Sequence, residues 1–176
     1  MKKAIISIFI ALGVLLTMVL FVAYYAYVNI NTYAVYYAKH TPHLETIDPE
    51  VIAVVEHLEW IEKPELEGVE YKNKGHALIS FYDESNNAYF RFTSGRGIVG
   101  YRYSNKEGFN YYLDSETMEL MRVYQGTEKS IPPEDFNEKQ LKSEIHEYLQ
   151  PIIDTQPEPR TNLQWLFDKV YHERYN

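Results

Sequence analysis

The sequence predicts an α+β protein: an N-terminal transmembrane helix, then a domain with a helix, an antiparallel β-meander of five or six strands and two C-terminal helices. Three observations predict it. Residues 4–30 carry no charged side chain. Between residues 66 and 125 the apolar period becomes two, with turn clusters at short intervals, and after that stretch helical spacing returns.

The first element is the apolar run. Ile5–Ala23 alone is long enough to cross about 30 Å of hydrocarbon at about 1.5 Å per residue. Lys2 and Lys3 precede it and no basic residue follows until Lys39, so the positive-inside rule places the N-terminus in the cytoplasm and the C-terminal domain outside. The rival reading is a cleaved signal peptide. Cuts after Ala23 or Ala26 would set Phe21 or Tyr24 three residues before the break, where a small side chain is required. A retained, single-pass anchor in the cell membrane is the expectation, with residues 4–30 in contact with the lipid bilayer.

Tyr24, Tyr25 and Tyr27 then form an aromatic girdle at the outer headgroups. Tyr33, Tyr36 and Tyr37 continue at helical spacing up to Pro42, and are expected to lay an aromatic stripe on the domain, on a partner or along the interface. The chain thus divides into a tip and anchor (1–30), a helical extension and linker (31–47) and the extracytoplasmic domain (48–176).

Asp48-Pro49-Glu50 reads as a helix start, with Asp as N-cap, Pro at the first helical position and Glu near the positive end of the dipole. Val51, Val54, Val55, Leu58 and Ile61 follow on one face, His57 falls on a charged face between Glu56 and Glu59, and Pro64 ends the run. The meander follows. Ala77/Ile79/Phe81, Phe90/Phe92, Val99/Tyr101/Tyr103, Phe109/Tyr111/Leu113 and Met118/Leu120 form its core face; His76, Tyr89, Arg91, Arg102, Tyr112 and Glu119 form the other. Beyond Ile131-Pro132-Pro133 a helix turns Phe136, Leu141, Ile145, Tyr148 and Leu149 inward and closes at Pro151, with His146 on its charged face. Thr161 caps a last helix with Leu163, Leu166, Phe167, Val170 and Tyr171 as its stripe.

Composition narrows the function. Setting aside Lys2 and Lys3 leaves 15 basic against 25 acidic residues, a formal balance of −10, which argues against nucleic acid as a partner. The chain has no cysteine, and so no disulfide and no thiolate chemistry. A small exported domain without disulfides fits the outer face of a bacterial membrane. Tyrosine is abundant, 17 residues against 8 Phe and 2 Trp, a usage expected of half-buried sheet faces and binding surfaces.

Gly95-x-Gly97-x-x-Gly100 matches the dinucleotide fingerprint, but Tyr101-Arg102-Tyr103 continues as strand where a helix is required, so a hairpin is expected and no cofactor. His40, His43 and Glu45 are near enough in sequence to share a metal but flank Pro42 in a linker, so no metal is assigned. No serine sits in a nucleophile motif. Tyr112-Leu113-Asp114-Ser115-Glu116-Thr117, followed by Leu120, resembles the closing hairpin of PepSY-type domains, with Met118 where that pattern has glycine; no residue role is carried over.

The expected function is a membrane-anchored binding or accessory module acting on a protein partner at the outer membrane surface, with Tyr33, Tyr36, Tyr37, Tyr89, Arg91, Arg102 and Tyr112 as the contact residues. A tethered carboxylate hydrolase and a small-ligand sensor are the alternatives. Converging acids in a deep pocket would mark the first, and a closed apolar pocket between sheet and helices the second.

Overall fold

In a computed structural model the chain is described over residues 2–72, 78–82, 87–95, 98–126 and 129–175, with side chains from residue 6 onward except those of 87 and 91–99. His76 and Ala77 lie outside the described residues, as do the side chains of Arg91, Phe92 and Val99.

Helix α1 spans Lys2–Thr32, and its residues 6–25 are exposed all round. It is long and apolar enough to cross a membrane, a property shared by anchors and signal sequences. Its last turn differs in kind: Asn29, Ile30 and Asn31 are buried in the domain. Tyr33 interrupts the helix only briefly before α2, Ala34–His40. Helix α3, Pro49–Glu56, starts as expected, with the Asp48 side chain accepting from the Val51 N–H at 3.2 Å.

Two expectations about α3 are corrected. It ends at Glu56, because a turn in which His57 accepts from the Trp60 and Ile61 N–H groups replaces the helical ladder well before Pro64. It is also buried all round, since Val51 to Val55 are each 1% exposed or less and the helix packs against both α2 and the later helix α4, Glu138–Ile153.

The sheet is a seven-stranded antiparallel meander in sequence order: β1 (Val69–Lys72), β2 (Leu78–Tyr82), β3 (Asn87–Gly95), β4 (Ile98–Ser104), β5 (Phe109–Asp114), β6 (Leu120–Gln125) and β7 (Lys129–Ile131). Five or six strands were expected; the additional one is β7, three residues long and set off by Gly126 at φ +65°, too short for an alternating pattern. The register aligns Tyr71, Ile79, Phe90, Tyr103, Tyr111, Val123 and Ile131 in one row across all seven strands. That row is the floor of the core. Helix α4 covers it, with Tyr148 against Phe81 and Tyr103, and the Tyr103 hydroxyl donating to Glu144 at 2.6 Å.

Pro151 lies inside the last turn of α4 and does not close it, because at a helix end the missing N–H costs a single hydrogen bond. Phe136 precedes α4 and reaches the core from its linker, edge-on to Phe109 and Tyr111. Helix α5, Gln164–Tyr175, begins later than Thr161, and Asn162 accepts from the Gln164 N–H at 2.8 Å. Val170 points to solvent, and Phe167, Tyr171 and Tyr175 form the packed stripe instead.

Candidate functional site

On the side of the sheet away from the helices, alternation brings Tyr89, Arg102, Asn110, Tyr112, Arg122 and Tyr124 to one surface, with Arg102 opposite Tyr112 and Tyr112 opposite Arg122. The Arg102 guanidinium lies 5.3 Å from the Tyr89 ring centre and 5.3 Å from that of Tyr112. Tyr124 meets Tyr112 edge-on at 5.7 Å. Beneath them Asn110 is 8% exposed, and its Oδ1 accepts from Arg102 Nη2 at 2.7 Å, Ser104 Oγ at 3.0 Å and the Tyr89 hydroxyl at 3.4 Å, while its Nδ2 donates to the Gly126 carbonyl at 3.0 Å. A single buried amide thus fixes the charged group and one of the rings that flank it.

Of the predicted contact residues, Tyr89, Arg102 and Tyr112 come together here. Arg91 is on the same face by register, opposite Arg102. Tyr33 and Tyr36 are half-buried against the core, and Tyr36 packs on His40 at 4.5 Å between ring centres. Tyr37 offers a partner no surface. It is wholly buried, its hydroxyl donates to Asn29 Oδ1 at 2.6 Å and accepts from the Leu163 N–H at 3.0 Å, and burial pushes its pKa up. Glu119 lies in the β5–β6 turn, off the sheet face. Sequence reading missed Asn110, Arg122 and Tyr124; strict alternation from Tyr112 would have reached the first, but a small amide between Phe109 and Tyr111 carries no mark of burial.

A second arrangement occupies a cleft of about 720 Å³ between the start of α3 and α4. Asp48, Glu50 and His146 converge there, with ligand atoms within 4.8 Å of one another, and among the described residues they form the set able to hold a metal. His146 Nδ1 is 2.6 Å from Asp48 Oδ2. Burial alone would lower the His146 pKa, but the hydrogen bonds and negative charge of its neighbours, Asp48 first, raise it. Burial raises the Glu50 pKa, with Asp48 adding to it. His146 is therefore not on a free charged face, and neither is His57, which is 6% exposed between Asn31 Oδ1 at 3.0 Å and the Tyr171 hydroxyl at 3.3 Å.

Of the Gly95/Gly97/Gly100 pattern, Gly97 lies outside the described residues. Gly95 pairs with Ile98 across a hairpin, and a Cβ on Gly100 would stand 2.5 Å from the Leu113 carbonyl oxygen of the neighbouring strand. Met118, standing where the PepSY-type pattern has glycine, is in the left-handed region at φ +55° with its side chain 1% exposed. Core burial there outweighs a backbone cost of about 1 kcal/mol. No family model, curated protein or solved structure matches the chain.

Proposed function

We propose that the chain is a single-pass membrane protein with its N-terminus in the cytoplasm, and that its domain outside the membrane acts by binding a protein partner through the solvent face of the sheet. The observation that carries this reading is Arg102 held between Tyr89 and Tyr112 over Asn110. Side chains already fixed lose little entropy on binding, and Tyr and Arg are the residue types that dominate interface energetics. Within a domain whose formal balance is −10, Arg102 and the exposed Arg122 give this face a local positive character, suited to a partner surface bearing carboxylates. Retention of α1 is supported by its last turn: Asn29, Ile30 and Asn31 belong to the core, so the anchor and the domain are one packed unit.

The hydrolase reading draws on the Asp48 cleft. There Asp48 is committed to capping α3 and to His146, whose Nδ1 is 2.6 Å from its Oδ2, so neither is poised for a substrate. The sensor reading calls for a closed apolar pocket between sheet and helices; the space of about 430 Å³ between β5 and α4 is open, and Lys106, Glu107 and Glu144 line it beside Tyr111, Phe136 and Tyr148.

Photoreactive side chains at positions 112 and 124 of the full chain in its native membrane test the proposal. Discrete protein adducts that weaken on Arg102→Ala, with thermal stability retained, are the expected result. Absence of adducts, or adducts indifferent to Arg102→Ala, would refute it.

A further inference from the structure

The geometry around the end of α1 points to a lipid-facing rim on the domain itself, a conclusion that rests on α1 spanning the bilayer. A helix rises about 1.5 Å per residue, so about 30 Å of hydrocarbon entered at Ile6 is left near Tyr25. Tyr25 and Tyr27 then stand at the level of the headgroups.

Both touch the domain at that height. The Tyr25 hydroxyl donates to Thr161 Oγ1 at 2.9 Å, and Asn29 Nδ2 donates to the Thr161 carbonyl at 3.2 Å. On another side, the Tyr27 and Trp60 rings meet edge-on at 5.6 Å. Two segments distant in sequence, the turn after α3 that carries Trp60 and the loop before α5 that carries Arg160 and Thr161, are thereby fixed beside the point where α1 leaves the hydrocarbon.

These segments lie in the headgroup layer of the outer leaflet. The half-buried Trp60 ring sits among acyl carbonyls and glycerol, and the exposed Arg160 reaches the lipid phosphates. An indole has an apolar body and one N–H donor, a combination that the interfacial layer satisfies better than water or hydrocarbon. The occupant of the rim is lipid for a geometric reason: α1 carries lipid to within one side-chain contact of Trp60. The domain is consequently seated on the bilayer, with one fixed tilt, and does not swing on a tether.

The chain has two tryptophans, so Trp165→Phe leaves Trp60 as the sole indole, excited selectively at the red edge where tyrosine does not absorb; Trp165 is 66% exposed, and its replacement leaves the core intact. The full-length variant is reconstituted into phosphatidylcholine vesicles containing lipid brominated either near the headgroup end or near the tail end of the acyl chain, and then washed at alkaline pH. The expected result is loss of Trp60 emission that is greater with the shallow label than with the deep one, together with protection from aqueous acrylamide. Vesicle-bound protein whose Trp60 emission neither label reduces would overturn the rim while leaving the span in place, whether water or a second copy of the chain covers the ring. Protein removed by the alkaline wash would overturn both.

Discussion

His57 and His146 both lie among glutamates, yet the fold gives them opposite environments. Burial lowers the pKa of His57, which stays neutral between Asn31 and Tyr171. Because its folded pKa is below the unfolded value of about 6.5, its contribution to stability is present above that pH and is lost as pH falls toward the folded value. For His146 the sign reverses. Burial pulls its pKa down, but Asp48, with Gln150 and Glu50, more than compensates, so the folded pKa is raised; the stability it adds is full below about 6.5 and is lost as pH rises through the folded value. Denaturant titrations between about pH 5 and pH 8 should separate the two. His57→Gln should lessen the loss of stability on acidification, and His146→Gln should reduce stability at the acid end while changing little at the alkaline end. Identical pH profiles for both variants and the parent chain would contradict this assignment. Neither environment was legible in sequence, because the partners Asn31, Tyr171 and Asp48 lie far along the chain and only packing delivers them.

At the scale of elements, alternation and turn chemistry were enough to place β1 to β6. The six strands follow the alternating segments, with β3 running on through Asn87, Ser94 and Gly95, residue types that favour turns. Helix limits were less legible, since α3 ends where a turn accepting at His57 competes with the helix, and Pro151 is tolerated where little hydrogen bonding remains to be lost. The β4–β5 pairing supplies a test. A methyl group on Gly100 would meet the Leu113 carbonyl at 2.5 Å, backbone that shifts only with the strand, so Gly100→Ala should cost about 1–3 kcal/mol. Thermal or denaturant unfolding would show it, and an unchanged midpoint would mean that the two strands do not approach as described. Because Arg102 and Tyr112 sit on these same strands, the variant should also disturb the proposed binding face of the sheet.

Over the whole molecule, α1 and the domain share a core. Asn29 and Asn31 project from the last turn of α1 to Thr161 and His57, and Tyr37 ties α2 to the loop before α5. The proposed orientation, with Lys2 and Lys3 in the cytoplasm, is open to a direct experiment because the chain has no native cysteine. Glu134→Cys, exposed in the linker before α4, should react with a membrane-impermeant thiol reagent in intact cells, whereas Lys3→Cys should react only after lysis. Labelling in the reverse pattern would place the domain on the cytoplasmic side and remove the proposed partner surface from the cell exterior.

The sequence by itself determined the apolar N-terminal helix, the α+β class, the meander and the two-faced character of its strands. These follow from local periodicity, charge and turn chemistry, which act over a few residues and need no knowledge of what packs where. Only the tertiary structure decided that Tyr37 is buried, that Asn110 is the acceptor holding Arg102, and that Trp60 lies against Tyr27. Each depends on segments brought together by closure of long stretches of chain, and a polar or aromatic side chain looks the same in sequence whether its partner is water or a buried amide on another strand.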